Sequence, residues 1–375
     1  MILANAEIIL PDRILRGAVE IEQGRIARIH EGESVPEGAI DLQGDWLAPG
    51  MVELHTDNLE RHMQPRPGAH FPHGPAILAH DSELAGCGIT TVFDALRLGS
   101  IPNATGDYIR YGRALADELA AIKASGALKI NHLIHLRAEI CSETLAEELA
   151  EFHEGEDVGI ISLMDHSPGQ RQYSDASKLE DYVRSKYRLN EAQTAAHMAR
   201  LRDMHARLAG PHEAATVARA AALGAVLASH DDTTRAQVET SAGYGIRLAE
   251  FPTTLEAAQA CHDHGIAVIM GAPNLIRGGS HTGNIAAADL ARAGLLDIIS
   301  SDYVPAALIG AAFRLAAIWD DLPRAMATVT RNPARAAGLD DRGEITEGKR
   351  ADLIRIRRFG DLPSIRATWV AGERV

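Results

Sequence analysis

Residues 46–60 read WLAPGMVELHTDNLE, an apolar lead-in that ends with His55 and Asp57, one residue apart. Alternate residues of a strand project to one side, so this imidazole and this carboxylate share a face at the end of a segment whose other positions suit burial on both faces. Two ionisable groups in that setting require a common partner. The rest of the chain has to supply it.

Seven further segments share the texture of this one: GITTVFDAL, KINHLIHLRAE, DVGIISLMDH, GAVLASHDD, RLAEFP, GIAVIMGAPN and LDIISSDYV. Alanine- and leucine-rich stretches such as TGDYIRYGRALADELAAIKASGA, SETLAEELAEFHE, TTLEAAQACHDHG and NIAAADLARAGLL alternate with them and read as helices with one packable side. Eight such units predict an α/β protein with a distorted (β/α)8 TIM-like barrel over residues 50–342; an open doubly wound sheet is the alternative. Between His166 and the fifth strand lies a long helical insertion, residues 167–224, far longer than most crossovers and suited either to cover the barrel mouth or to pack as decoration.

Both ends of the chain differ from this middle. ILANAEIIL, GAVEIEQG and RIARIHE at the start, and GEITEGKRADLIRIRR and IRATWVAGERV at the end, are short alternating strands punctuated by Gly24, Gly343, Gly348 and Gly372. Neither piece has the apolar surface for its own core. Residues 1–49 and 343–375 are therefore expected to form one small β-sandwich domain.

Composition narrows the function classes. A net charge of −14 leaves no bulk attraction for nucleic acid or an anionic membrane, although a local basic cluster still suits a small anion. The three cysteines, Cys87, Cys141 and Cys261, follow neither a disulfide-rich nor a zinc-ribbon spacing. The amino terminus lacks a basic start with a long apolar run, and no stretch reaches about 18 apolar residues. A cytoplasmic protein without nucleic-acid or membrane partners is expected, with self-association left open.

The polar residues gather at strand ends: His55 and Asp57 at the first, His135 and Glu139 at the third, Asp165 and His166 at the fourth, His230, Asp231 and Asp232 at the fifth, Asp302 at the eighth. In a barrel these ends converge on one face. Imidazoles and carboxylates suit a divalent metal, with zinc first and manganese or iron as alternatives. His55, Asp57, Glu139, His166, His230 and Asp302 are the candidate ligands, numerous enough for two ions. Glu139 reads either as a bridging ligand or as the surface start of a helix. His135 and Asp231 read as supports behind the ligands. Asp302 reads as ligand and general base, or as a cap on the helix that follows.

The order of these motifs resembles the amidohydrolase superfamily, in which a metal-bearing barrel is joined to a small β domain made from both termini. Within it, HTDNLERHMQPRPG, HLRAE, LMDHSPGQRQY, ASHDDTT, GAPNLIRGGSHTGN and SSDYVP are similar to the diphosphatases that act on a ribose 5-triphosphate carrying methylphosphonate at C1. Here the first motif is HxD in place of HxH, and the fourth strand has no bridging lysine. The resemblance gives the bridging task to Glu139, although it also leads one to expect histidines on the fifth and sixth strands instead of the fourth and fifth.

It implies release of pyrophosphate by attack of water at phosphorus, with Asp302 taking the proton. An anionic ribose triphosphate needs cationic and amide partners; Arg61, His62, Arg66, Arg171, Asn274, Arg277, Ser280 and His281 are the candidates. Hydrolysis of a cyclic amide, an amine or an acetylated substrate remains an alternative, as does a metal-binding paralogue without turnover.

Overall fold

The computed structural model describes residues 1–66, 68–99, 110–173, 176–187, 189–280 and 283–375. Two compact units emerge: Met1–Asp94 with Ala121–Leu133 and Met270–Val375, and Ala95–Ala120 with Ile134–Ile269. No helix among the described residues is long and apolar enough to cross a membrane.

The amino-terminal strands are β1 (Ile2–Ile9), β2 (Ile14–Glu22), β3 (Arg25–Glu31), β4 (Ile40–Asp41) and β5 (Trp46–Pro49). Eight strands follow through the middle of the chain: β6 (Met51–Thr56), β7 (Ile89–Leu98), β8 (Asn131–Glu139), β9 (Val158–Met164), β10 (Val226–His230), β11 (Leu248–Glu250), β12 (Ala267–Gly271) and β13 (Ile298–Ser300). The last three are β14 (Leu353–Phe359), β15 (Leu362–Val370) and β16 (Glu373–Arg374).

The two ends of the chain build one mixed sheet in the order β16-β15-β14-β5-β1-β2-β3, with β4 beside β1. The joint is the antiparallel pairing of β5 with β14, from Leu353 opposite Pro49 to Ile356 opposite Trp46. Leu3, Ile8, Val19, Leu47, Leu353 and Trp369 fill its core. This auxiliary β-sandwich draws apolar residues of both termini into one shared core.

The second sheet runs β13-β12-β11-β10-β9-β8-β7-β6, and its paired strands are parallel. A parallel bridge between Thr56 and Asp302 brings the last strand back to the first. The result is the expected distorted TIM-like barrel. Every residue of β6 is buried, which is why its sequence shows no polar alternation beyond Glu53 and His55. RLAEFP, the shortest strand candidate, is the three-residue β11. The count of strands therefore stands, and His166 and His230 belong to the fourth and fifth.

The insertion is helical. A 3-10 turn at Arg171–Tyr173 leads to helices Ala176–Tyr187 and Glu191–Leu223. Asn190 starts the second with a capping box to Gln193, and Gly224 ends it with φ of +66°. Leu179, Val183, Met198, Leu201 and Met204 form a small core of its own. The helix Leu145–Ala150 is shorter than the sequence suggests; of the helix expected over TGDYIRYGRALADELAAIKASGA, Gly112–Ala124 is observed and residues 105–109 lie outside the described residues. The glycine-rich loop is partly helical, since Ala272–Arg277 forms a turn and a half before Gly278 stops it at φ +82°.

Candidate metal centre

Strand ends aim these side chains by a repeated backbone device. Asp231 and Phe251 follow β10 and β11 directly, Asp302 follows β13 by two residues, and all three have positive φ, at 57°, 57° and 55°. Each still donates its amide to a neighbouring strand: Asp231 to the Glu250 carbonyl at 2.8 Å, Phe251 to Ile269 at 2.9 Å, Asp302 to His55 at 3.2 Å. Pairing with the neighbouring strand thus continues one residue past β10 and β11 and reaches two residues past β13. Aspartate tolerates this left-handed region, whereas a phenylalanine is strained there by about 1–2 kcal/mol.

In the unit containing Ile134–Ile269, His166, His230 and Asp231 each offer one ligand atom within 4.8 Å of the others. His166 Nδ1 lies 2.5 Å from Glu139 Oε2, and His230 Nδ1 lies 2.9 Å from Glu250 Oε2. A carboxylate behind one ring nitrogen fixes the ring and leaves the other nitrogen for an ion, the usual support for metal-binding histidines. His230 Nε2 stands 3.3 Å from Asp231 Oδ2. The donor set of two imidazoles and carboxylates fits a divalent metal. Burial works to lower the His166 pKa, but Glu139 beside it and Asp231 hold it above the ordinary histidine value.

His135, buried on β8, reaches Ser162 Oγ at 2.9 Å and Glu250 Oε1 at 3.4 Å. It thus braces the carboxylate that braces His230. Glu139 touches His166, and Asp231 stands among the three convergent donors instead of behind them. Arg171, held at φ +44°, pairs with the buried Asp232 at 2.5 Å and donates to the His230 carbonyl at 2.9 Å.

In the other unit, Glu53, His55 and Asp57 alternate along one edge of β6. Glu53 is fully buried; it accepts from the His55 amide at 2.8 Å, the Ser301 amide at 2.6 Å and Ser300 Oγ at 2.5 Å. Burial raises its pKa while these donors pull against the rise. Asp57 begins the helix Asn58–Met63 without capping it. Gly271 clears the neighbourhood of Asp302, for a Cβ there would sit 3.3 Å from Asp302 Oδ2. The sequence thus gathers His55, Asp57 and Asp302 in this unit, and Glu139, His166, His230 and Asp231 in the other.

The candidate substrate residues are variously engaged. Arg61 and His62 both bind Glu83, at 2.6 Å and 2.7 Å; although burial opposes it, Arg61, Asn58 and His62 hold that carboxyl at about 2. Asn274 clasps the next helix, giving its amide to the Ile285 carbonyl at 3.2 Å and accepting from the Ala287 amide at 3.0 Å. Arg66 and Arg277 are exposed, and Ser280 is half-buried. His281 lies outside the described residues.

Three features escape the sequence reading. Glu250 hides in the shortest strand, where RLAEFP looks like a boundary. Glu53 carried a signal, being the third polar residue in the same alternation as His55 and Asp57. A buried network also joins helix His73–Gly86 to β7 and β8: His80 to Asp94 at 2.8 Å, Asp94 to His132 at 2.7 Å, His132 to Asp81 at 3.3 Å. Asn58 Nδ2 extends it to His80 Nδ1 at 3.0 Å, so its ring nitrogens are satisfied within the protein.

The model of the amidohydrolase family matches residues 77–375. The chain is 42% identical over 381 residues to the alpha-D-ribose 1-methylphosphonate 5-triphosphate diphosphatase of Escherichia coli (strain K12), covering 100% of both chains. Among solved structures it is similar to 5-methylcytosine deaminase from Klebsiella pneumoniae, with a TM-score of 0.63, 17% identity and coverage of 100% and 97%. N-acetylglucosamine-6-phosphate deacetylase from Thermotoga maritima gives 0.62, 14%, and 100% and 99%. The two structural likenesses speak for the fold alone; together with the family match and the full-length relative, they fit a chain whose strand ends carry imidazoles and carboxylates. The chain belongs to the amidohydrolase family.

Proposed function

We propose that this chain is a metal-dependent diphosphatase that hydrolyses alpha-D-ribose 1-methylphosphonate 5-triphosphate to the 5-phosphate and pyrophosphate. The observation that carries the reading is full-length identity of 42% to a relative of that activity in a chain whose His166, His230 and Asp231 converge as metal donors. The residues we assign to hold the ion or ions are His55, Asp57 and Asp302 in one unit and Glu139, His166 and His230 in the other, each at or just past the carboxyl end of a strand. Zinc suits these nitrogen and oxygen donors.

A bound divalent ion supplies Lewis acidity toward water and toward the phosphoryl oxygens. The chain's own residues do the rest. Asp302 accepts the proton of the attacking water, from a backbone position fixed by its own amide. The water oxygen bonds to the α-phosphorus as the bridging oxygen leaves with pyrophosphate. Glu139 and Glu250 hold the His166 and His230 rings in orientation. Arg277 and Arg66, both exposed, and the half-buried Ser280 are the side chains we assign to the polyphosphate and ribose; Arg61, His62, Arg171, Asn274 and His281 are kept as further candidates.

Hydrolysis in isotopically labelled water tests the reading, with the ribosyl methylphosphonate triphosphate alongside nucleoside triphosphates. Pyrophosphate together with label in the ribose 5-phosphate is expected. Release of orthophosphate, or no turnover of the ribosyl substrate by metal-loaded protein, overturns it.

A further inference from the structure

A separate donor cluster lies beyond the ends of β8 and β9. Cys141 follows β8 by two residues, Asp165 follows β9 directly, and His205 comes from the helix Glu191–Leu223. Cys141 Sγ is 3.5 Å from His205 Nδ1 and 3.4 Å from Asp165 Oδ1, and His205 Nδ1 is 3.1 Å from Asp165 Oδ2. One ligand atom from each lies within 4.8 Å of the other two. Cys141 is fully buried and Asp165 nearly so, whereas the His205 side chain is 32% exposed.

We propose that Cys141, Asp165 and His205 form a second zinc(II) site, with three protein ligands and the fourth position left to water. Bonds of ~2.3 Å to a thiolate and ~2.0 Å to an imidazole, set at a tetrahedral angle, separate sulfur from nitrogen by ~3.5 Å. That is the spacing between Cys141 Sγ and His205 Nδ1. One thiolate, one imidazole and one carboxylate are a donor set that zinc accepts and that magnesium or calcium does not. The cluster is also held in place from outside: Ser167 Oγ donates to Cys141 Sγ at 2.8 Å, and the Ser167 amide donates to Asp165 Oδ1 at 3.0 Å. On loading, the thiol proton leaves to water and a sulfur–zinc bond takes its place. The ion would pin the long helix to the two strand ends that carry Glu139 and His166. The site stands whether or not the proposed reaction does.

The full-length protein, stripped by a chelator and titrated with cobalt(II), tests the site. Sulfur-ligated cobalt gives a near-ultraviolet charge-transfer band that a centre of imidazoles and carboxylates cannot produce. The band is expected in the wild type, with a final intensity corresponding to one sulfur-ligated ion per chain. It is lost in Cys141→Ser, and in His205→Gln cobalt affinity at this band falls by about 10-fold or more. His205→Gln alters a half-exposed side chain and keeps the test valid should the buried cysteine variant misfold. A folded wild type without the band, or a full-strength band of unchanged affinity in His205→Gln, overturns the proposal.

Discussion

The amide of Asp57 donates to the carbonyl of Asp302 at 2.9 Å, so the residues that end the first and last strands are tied through their main chains. Their backbones carry the closure, so a change confined to the Asp302 carboxylate leaves that tie in place. Asp302→Asn is therefore expected to fold like the wild type and to lose turnover by about 10²- to 10⁴-fold, the range that a lost general base costs. Circular dichroism and pyrophosphate release check the two halves of that statement.

Glu250 holds the ring of His230. Its replacement by alanine removes the bond that Oε2 makes to that ring at 2.9 Å and the contact of Oε1 with His135 at 3.4 Å. Metal affinity should drop by about 10- to 100-fold, the usual effect of losing such a support. Competition against a chromophoric chelator measures it, and an unchanged affinity means that the ring is held by something else.

Arg171 was expected at the polyphosphate and is instead bonded to a buried carboxylate. Arg171→Ala would leave Asp232 charged and unpaired, at a cost of about 3–5 kcal/mol in urea unfolding. A substrate contact would add a rise in KM that steepens at low salt. If stability falls and KM does not move, the side chain serves the loop around His230 and nothing else.

His132 gives the protein a pH-dependent term. Burial works against its charge, but Asp94 and Asp81 on either side raise it to about 9. A histidine raised above its unfolded value near 6.5 contributes stability that is complete below about pH 6.5 and lost as pH climbs through about 9, on the order of 3 kcal/mol. His80, whose burial lowers its pKa despite its bond to Asp94, works the other way and weakens the fold only as pH falls below the ordinary histidine range. Urea unfolding from pH 6 to about pH 10 should show the alkaline loss in the wild type and a flatter profile in His132→Gln.

The barrel was legible because each strand buried on both faces is an unbroken apolar run, and because polar residues cluster where such runs stop. His55, His166 and His230 could be found that way, one strand end at a time. The pairings could not. Glu139 with His166 and Glu250 with His230 join different strands, and no local pattern couples them. His80 and Asp81 lie on a helix and Asp94 and His132 within strands, so each alone reads as a solvated or boundary residue. Arg61 and Arg171 read as cations seeking phosphate because the sequence hides Glu83 and Asp232 from them.

The pairing of β5 with β14 sets an order on synthesis as well as on architecture. Trp46 to Pro49 leaves the ribosome some three hundred residues before Leu353 to Ile356, its hydrogen-bonding partners, exist. Until then the nascent chain carries an open strand edge and an uncovered apolar face, the features that invite chaperones or aggregation. A product terminated before residue 353 would keep that edge permanently, and degradation of such fragments is the expected fate of any reading frame cut near its end.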